Sequence, residues 1–222
     1  MKHLTANQVI TDAIQFLKNH SEKIAVIDLD STLYNASGRQ IQIFREFASD
    51  PKFQAIFPLE TAILKDITGA DLAYYPVDCL KQMGHTNIHK DFSSVYHEYW
   101  SPKFFSNEYL IYDKIEDGAL DFMEKLEHHG FKIIFLTGRD VARMGRGTKE
   151  QLVRDNALIK GRELILKPHL SEDDHSFKLR IVHGFCKNEG TGLVFIDNEA
   201  HNLNHIHQEK LPVWCVFFDT VH

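Results

Sequence analysis

Between Ile24 and Tyr34 the chain reads Ile-Ala-Val-Ile-Asp-Leu-Asp-Ser-Thr-Leu-Tyr, a continuous apolar run that ends in two aspartates one residue apart. An apolar run of this length, bounded by polar residues, predicts a strand buried on both faces of a parallel sheet. In such sheets, side chains meet ligands beyond the carboxyl ends of the strands. Alternation along an extended segment would aim Asp28 and Asp30 the same way and turn Leu29 back into the core. Two carboxylates held side by side repel unless a cation or a shared proton compensates them. A magnesium ion takes oxygen ligands and keeps room for waters and a phosphate, so it is the natural compensator. Turn formation accounts for one aspartate at a strand end. It does not account for the pair.

The remainder of the chain supplies the sheet that such a strand needs. Thr5 and Gln8 have the form of a capping box, and Val9, Ala13, Phe16 and Leu17 follow at helical spacing, predicting a helix over about 6–19. From Gly118 to Leu126 another helical face runs up to His128-His129-Gly130, with Gly130 at the expected C-terminal cap. Ile133-Ile134-Phe135-Leu136 is a second apolar strand, running into Thr137-Gly138-Arg139-Asp140. Thr148 and Gln151 again resemble a capping box, predicting a helix that opens there and carries Leu152, Val153 and Leu158. Leu164 to Leu166 is a third strand, ending at Lys167-Pro168. A polar turn, Ser171 to His175, leads into a helix with Phe177, Leu179, Ile181, Val182 and Phe185. Leu193 to Ile196 is a fourth strand, ending at Asp197-Asn198. A short helix near 199–207 and a strand over Val213 to Phe218 follow. Five apolar strands alternating with helices predict an α/β fold, a Rossmann-like three-layer core around a mainly parallel sheet.

The stretch after Tyr34 does not fit that alternation. From Arg39 to about Asp113 it is rich in aromatics and short helical patterns, broken at Asp50-Pro51, Phe57-Pro58, Gly69, Tyr75-Pro76, Gly84 and Ser101-Pro102. It has its own apolar content, so it predicts a small helical subdomain inserted into the core. The expected division is a core over 1–36 and 112–222 with a helical cap domain over 37–111. The aromatics are expected to form the cap's own core.

Composition sets bounds on partners. A formal net charge of −6 argues against bulk attraction to nucleic acid, and no apolar stretch approaches a membrane span. Met1 to Gln8 is polar and lacks the charged-then-apolar order of a secretion signal, so a cytoplasmic setting is expected. Cys79, Cys186 and Cys215 are odd in number and widely spaced, which fits reduced thiols. Among 14 histidines, His201, His205 and His207 come closest to a cluster, and the pattern favours a solvated helix face over a metal site. Nothing in the pattern sets an oligomeric state.

The functional signal is convergence. Separate buried strands end in Asp-x-Asp-x-Thr, Thr-Gly-Arg and Asp-Asn, a lysine follows another, and a parallel sheet gathers those ends at one edge. Two or three carboxylates, a hydroxyl, a lysine and an arginine suit a phosphate with its metal. Here the sequence resembles the haloacid dehalogenase superfamily. Asp28-Leu29-Asp30-Ser31-Thr32 matches its Asp-x-Asp-x-Thr signature, and Thr137, a lysine and Asp197 follow in the order of its other three motifs. The resemblance covers nearly the whole chain outside the inserted segment. That segment lies where many members carry a helical cap.

Most members are magnesium-dependent phosphotransferases, so the resemblance implies roles residue by residue. Asp28 would attack phosphorus and form an aspartyl-phosphate intermediate. Asp30 would serve as acid for the leaving alkoxide and then as base for water. Asp28, the Asp30 carbonyl and Asp197 would hold Mg2+. Thr137 would hydrogen-bond the transferred phosphoryl group, and the lysine would neutralise its charge and orient Asp28. Lys178 lies about where related phosphatases place that lysine, while Lys167 closes a strand and reads as a substrate contact or a surface residue. Thr32, Gly138, Arg139, Asn198 and Lys167 are the candidates for touching phosphate or substrate. Arg143 and Arg146 trail Arg139 as a basic helix approach. Where the family often has a further carboxylate, this chain has Asn198, whose amide oxygen can orient a metal-bound water; Glu199 or Asn202 are the substitutes.

The family's dehalogenases lack an acid at the place of Asp30, so its presence points to a phosphomonoesterase. A sizeable cap points to a small phosphorylated substrate. The alternatives are phosphoryl transfer to a sugar or nucleotide hydroxyl, or a polynucleotide-end phosphatase, which the Thr-Gly-Arg with its trailing arginines favours and the net charge disfavours. From a different class, a non-catalytic phosphate- or metal-binding module is the remaining reading.

Overall fold

A computed structural model describes residues 3–73 and 75–220. The outermost positions assigned to the core, 1–2 and 221–222, and Tyr74 of the inserted segment lie outside the described residues. The chain forms two compact units, one from residues up to Tyr34 together with Ile115–Thr220, the other from Asn35–Lys114.

The first unit is an α/β fold. Helix α1 (Ala6–Phe16) opens on the capping box read from the sequence: the Gln8 N–H donates to Thr5 Oγ1 and the Thr5 N–H to Gln8 Oε1. Strand β1 (Glu22–Ile27) follows, then a short β2 (Tyr34–Asn35) that pairs with β3 (Lys114–Ile115) where the chain returns. After β3 come α7 (Ala119–His128), β4 (Phe131–Asp140), α8 (Val141–Arg154), β5 (Glu163–Lys167), α9 (Asp174–Cys186), β6 (Thr191–Asp197), α10 (Ala200–Gln208) and β7 (Val213–Phe217). Five strands form one sheet in the order β5-β4-β1-β6-β7, and the neighbours run parallel.

Continuous apolar strands arise because both faces are covered. Ala25 and Ile27 of β1, Ile133 and Phe135 of β4, and Val194 and Ile196 of β6 join the core beneath α1, α7 and α8. Their alternating neighbours Ile24, Val26, Ile134, Leu136, Leu193 and Phe195 join the opposite core, beneath α9 and α10. The chain builds outward from β1 through β4 to β5, then crosses to β6 and β7. The order therefore reverses beside β1, and the ends of β1 and β6 meet at that switch point.

Helix α8 begins seven residues earlier than its apparent capping box. Asp140 ends β4 and caps α8 directly, its carboxylate accepting from the Arg143 N–H at 2.9 Å, and Thr148 is a buried mid-helix residue. The Thr-x-x-Gln pattern is a consequence of two inward-facing positions one turn apart.

The second unit contains α2 (Ser37–Ser49), α3 (Pro51–Ile56), α4 (Pro58–Leu64), α5 (Pro76–Gln82) and α6 (Phe92–Phe104), with short 3-10 turns at Gly69–Asp71 and Glu108–Tyr112. Pro51, Pro58 and Pro76 each occupy the first turn of a helix, where a missing N–H costs nothing. Pro102 lies inside α6, two residues before its end, and forgoes the single i→i−4 bond that its own N–H would have made. Phe47 is the hub of the aromatic core, with ring centroids 4.0 Å from Phe53, 5.2 Å from Tyr96 and 5.3 Å from Tyr99.

The Arg39–Asp113 ion pair in this unit is fully buried. Arg39 Nε and Nη2 donate to the two Asp113 oxygens at 2.9 and 2.8 Å, and its Nη1 donates to the Phe104 carbonyl at 2.9 Å. Asp113→Ala removes the carboxylate and leaves the guanidinium charge in the core, with an expected loss of about 3–5 kcal/mol. Urea unfolding checks this, and a loss below about 1 kcal/mol would show that the pair is worth no more than a surface contact.

Candidate functional site

The Asp28 N–H donates to the Ile196 carbonyl at 3.0 Å, one bond past the end of β1, so its carboxylate leaves the sheet at the carboxyl edge. The chain then turns tightly. Ser31 takes a left-handed φ of 57°, and the N–H groups of Thr32, Leu33 and Tyr34 all point at the Leu29 carbonyl, at 3.2, 3.0 and 2.8 Å. Leu29 is fully buried and anchors this turn in the core. Asp28 and Asp30 are thereby delivered to two different cations.

Asp28 is bound to Lys178, whose Nζ donates to Asp28 Oδ1 at 2.7 Å and to Asp197 Oδ2 at 2.8 Å. The three side chains come from β1, α9 and β6 and are 5%, 6% and 0% exposed for Lys178, Asp28 and Asp197. Two buried carboxylates share one cation, so the cluster is short of positive charge. Burial pushes the Asp28 carboxyl up to about 7 in spite of the attraction of Lys178, with Asp197 adding to the rise. Lys178 itself is held well above the ordinary lysine range, because its two carboxylates outweigh its burial. Lys178 therefore occupies the place between the first and fourth strand-end motifs.

Asp30 is bound to Arg139. The guanidinium donates through Nε and Nη2 to the two Asp30 oxygens, both at 2.8 Å, and through Nη1 to Gln151 Oε1 at 2.7 Å. Arg139 is 2% exposed, so it reaches Asp30 from inside the protein. A fork of this geometry is rigid and fixes the orientation of the Asp30 carboxylate. Gln151 and Thr148, which looked like a helix start, instead hold the far side of this guanidinium.

Thr137 is buried on β4, its hydroxyl accepting from the Arg139 N–H at 3.2 Å. Thr32 and Asn198 clasp each other across the edge: Thr32 Oγ1 donates to Asn198 Oδ1 at 3.3 Å and accepts from the Asn198 N–H at 3.1 Å. Asn202 is the amide that reaches Asp197, donating to Oδ2 at 2.9 Å. Lys167 is buried and ion-paired with Asp174 at the start of α9. The same carboxylate explains Gly138, since a Cβ there would stand 2.5 Å from Asp174 Oδ2. Arg143 and Arg146 pair with Asp140 and Glu150 along α8. The residues that sequence reading passed over are Gln151, Asp174 and His175, whose partners are set by tertiary contact and carry no local motif.

Among the described residues, no three His, Cys, Asp or Glu side chains stand together as a ready set of metal ligands. His201 and His205 pack ring on ring, with centroids 4.3 Å apart, and His175 joins them at 4.1 Å from His201. The donor chemistry at Asp28 and Asp197 nonetheless fits a hard divalent cation. The donors are carboxylate oxygens, and the negative charge there exceeds what Lys178 supplies. A separate cavity of about 590 Å³ lies in the same unit, lined largely by apolar groups including Val9, Phe122, Met123, Trp214 and Phe218. It touches Thr32 but none of Asp28, Asp30, Lys178 and Asp197, so it is not where the charged chemistry is gathered. No described helix is long and apolar enough to cross a membrane.

No protein-family model matches the sequence, and no curated protein does. Solved structures do resemble it. Protein Tyrosine Kinase A (PtkA) of Mycobacterium tuberculosis aligns with 91% of this chain and 87% of its own at a TM-score of 0.54 and 13% identity. A predicted phosphatase from Clostridium acetobutylicum aligns with 89% of this chain and 94% of its own at a TM-score of 0.46 and 10% identity. The first likeness is one of fold.

Proposed function

We propose that the protein is a magnesium-dependent phosphomonoesterase of the haloacid dehalogenase superfamily, acting on a small phosphorylated substrate in a cytoplasmic setting. The observation that carries this reading is the buried Asp28–Lys178–Asp197 cluster at the switch point of a parallel sheet. Nothing about packing requires two carboxylates and a lysine there, and their desolvation is costly. The order of the four motif residues, Asp28, Thr137, Lys178 and Asp197, supports the same assignment.

In this mechanism an Asp28 carboxylate oxygen attacks phosphorus, the bond to the leaving oxygen breaks, and an aspartyl phosphate forms. Lys178 keeps Asp28 oriented and offers positive charge to the transferring group. Thr137 offers its hydroxyl to a phosphoryl oxygen, within the network that also places Arg139. Mg2+, held by Asp28, the Asp30 carbonyl and Asp197, would supply charge neutralisation at the phosphoryl oxygens. Asp30 gives a proton to the departing oxygen and takes one back from the water that cleaves the aspartyl phosphate, so the two half-reactions balance. Arg139 holds the Asp30 carboxyl in one orientation for both steps. The helical unit, Asn35–Lys114, is assigned the choice of substrate, because the strand ends recognise phosphate and little else.

The test is to trap the first half-reaction. Beryllium fluoride with Mg2+ is expected to add to Asp28, visible as density or a fluorine resonance, and a chelator is expected to prevent both the adduct and phosphate release from an aryl phosphate. Turnover that survives chelation would remove the metal from this mechanism. An adduct without turnover of any phosphorylated metabolite would favour a phosphate-binding module.

A further inference from the structure

Asp197 is held by more than Lys178. Its Oδ2 accepts from Lys178 Nζ at 2.8 Å and from Asn202 Nδ2 at 2.9 Å, while its Oδ1 accepts from the Glu199 N–H at 2.7 Å. A carboxylate has about four lone-pair sites. Three are filled here, which leaves one, on Oδ1. The rotation of the carboxylate, and hence the direction of that remaining site, is set by these three donors together, two of them on Oδ2.

Asn202 is itself oriented from outside. It is 2% exposed, and its Nδ2 donates both to Asp197 Oδ2 and to Glu199 Oε2 at 2.9 Å. Both partners are acceptors only, so the amide cannot be turned over. Its Oδ1 then faces His175 Nδ1 and can only accept, so that nitrogen carries the hydrogen. His175 lies on α9, three residues before Lys178. Helix α9 thus bears on Asp197 Oδ2 twice: Lys178 donates to it directly, and His175 contacts Asn202, the donor from α10. The rings of His201 and His205 close over His175, at 4.1 and 5.9 Å between centroids.

We infer that His175 is a positioning residue that, through Asn202, aims the free oxygen site of Asp197 at the metal. The inference rests on the metal-and-phosphate reading above and adds to it a residue that no strand-end motif contains. Carboxylate ligands in metal sites depend on such hydrogen-bonded support, and its removal typically costs 10–100-fold in metal affinity or activity.

The experiment compares the full chain with His175→Ala and His175→Asn. The Asn amide places an N–H close to where the imidazole Nδ1–H sits, so it keeps the donor. Binding of Mn2+ is read from the electron paramagnetic resonance of the free ion, and kcat and KM from an aryl phosphate. His175→Ala is expected to weaken Mn2+ binding about tenfold and to lower kcat with little change in KM; His175→Asn is expected to restore both. Mn2+ affinity unchanged in His175→Ala overturns the inference, as does a His175→Asn protein as impaired as His175→Ala. The expected binding pattern with no phosphate release from any substrate refutes the hydrolase reading and leaves the positioning role standing. A parent chain that fails to bind Mn2+ refutes both.

Discussion

Asp28→Asn is expected to lose phosphate release by at least about 10³-fold while unfolding no more easily than the parent. The two halves have one cause. Burial holds the Asp28 carboxyl near 7, far above its ordinary 3.8, so the ionised form is carried at a cost to stability. A group with a raised folded pKa binds more protons in the native state, so the native state loses stability as pH rises through the interval between the two values. With metal chelated, the parent should therefore weaken relative to Asp28→Asn as pH rises from about 4 to about 7, and hold a constant deficit above that. Urea melts across that range measure the difference. An Asn variant clearly less stable than the parent at neutral pH would mean that Asp28 anchors the fold, and the activity loss would lose its meaning.

Lys178→Met should do the opposite to stability. Removing the shared cation leaves two buried carboxylates facing each other without compensation, and breaking a buried pair from one side costs about 3–5 kcal/mol. For a chain of this size that is a fall in melting temperature of roughly 10 °C. Added Mg2+ should recover part of it, because the ion supplies charge where the lysine did. Lys167→Met is the natural comparison, since its partner Asp174 is half exposed and can be rehydrated. A Lys178→Met protein that melts with the parent, or a Lys167→Met protein that loses more activity, would transfer the motif role to Lys167.

The sheet was legible because its strands are apolar on both faces, and a run such as Leu193 to Ile196 has few other uses. The strand ends were legible for the same reason: Asp197 is a charged residue immediately after a segment that tolerates none. What the pattern hid lies between elements. Arg139 follows Thr137 and looks available for substrate, yet its partner Asp30 is 109 residues away and takes both of its forked donors. Thr148 and Gln151 have the spacing of a helix start, and the same spacing places two inward side chains on one face of α8, where Arg139 uses them. His175 gives no signal, since its partner Asn202 comes from another helix and the pairing exists only once α9 and α10 pack. Spacing reports which face a residue occupies; it does not report who stands opposite.

The position of β1 in the sheet has a consequence for synthesis. Ile24 pairs with Lys132 on one side and Leu193 on the other, so the central strand leaves the ribosome before either neighbour exists. In the interval the whole of Asn35–Lys114 is made, and that unit carries an aromatic core and a buried ion pair of its own. Domains generally fold as units and in order of emergence, so the inserted helices complete first while an apolar strand waits without a sheet. Pairings this distant along the chain are slow to close. The nascent protein therefore carries this apolar strand unpaired while its neighbours are made, and Asp28 meets Asp197 only after all the chain between them has been synthesised.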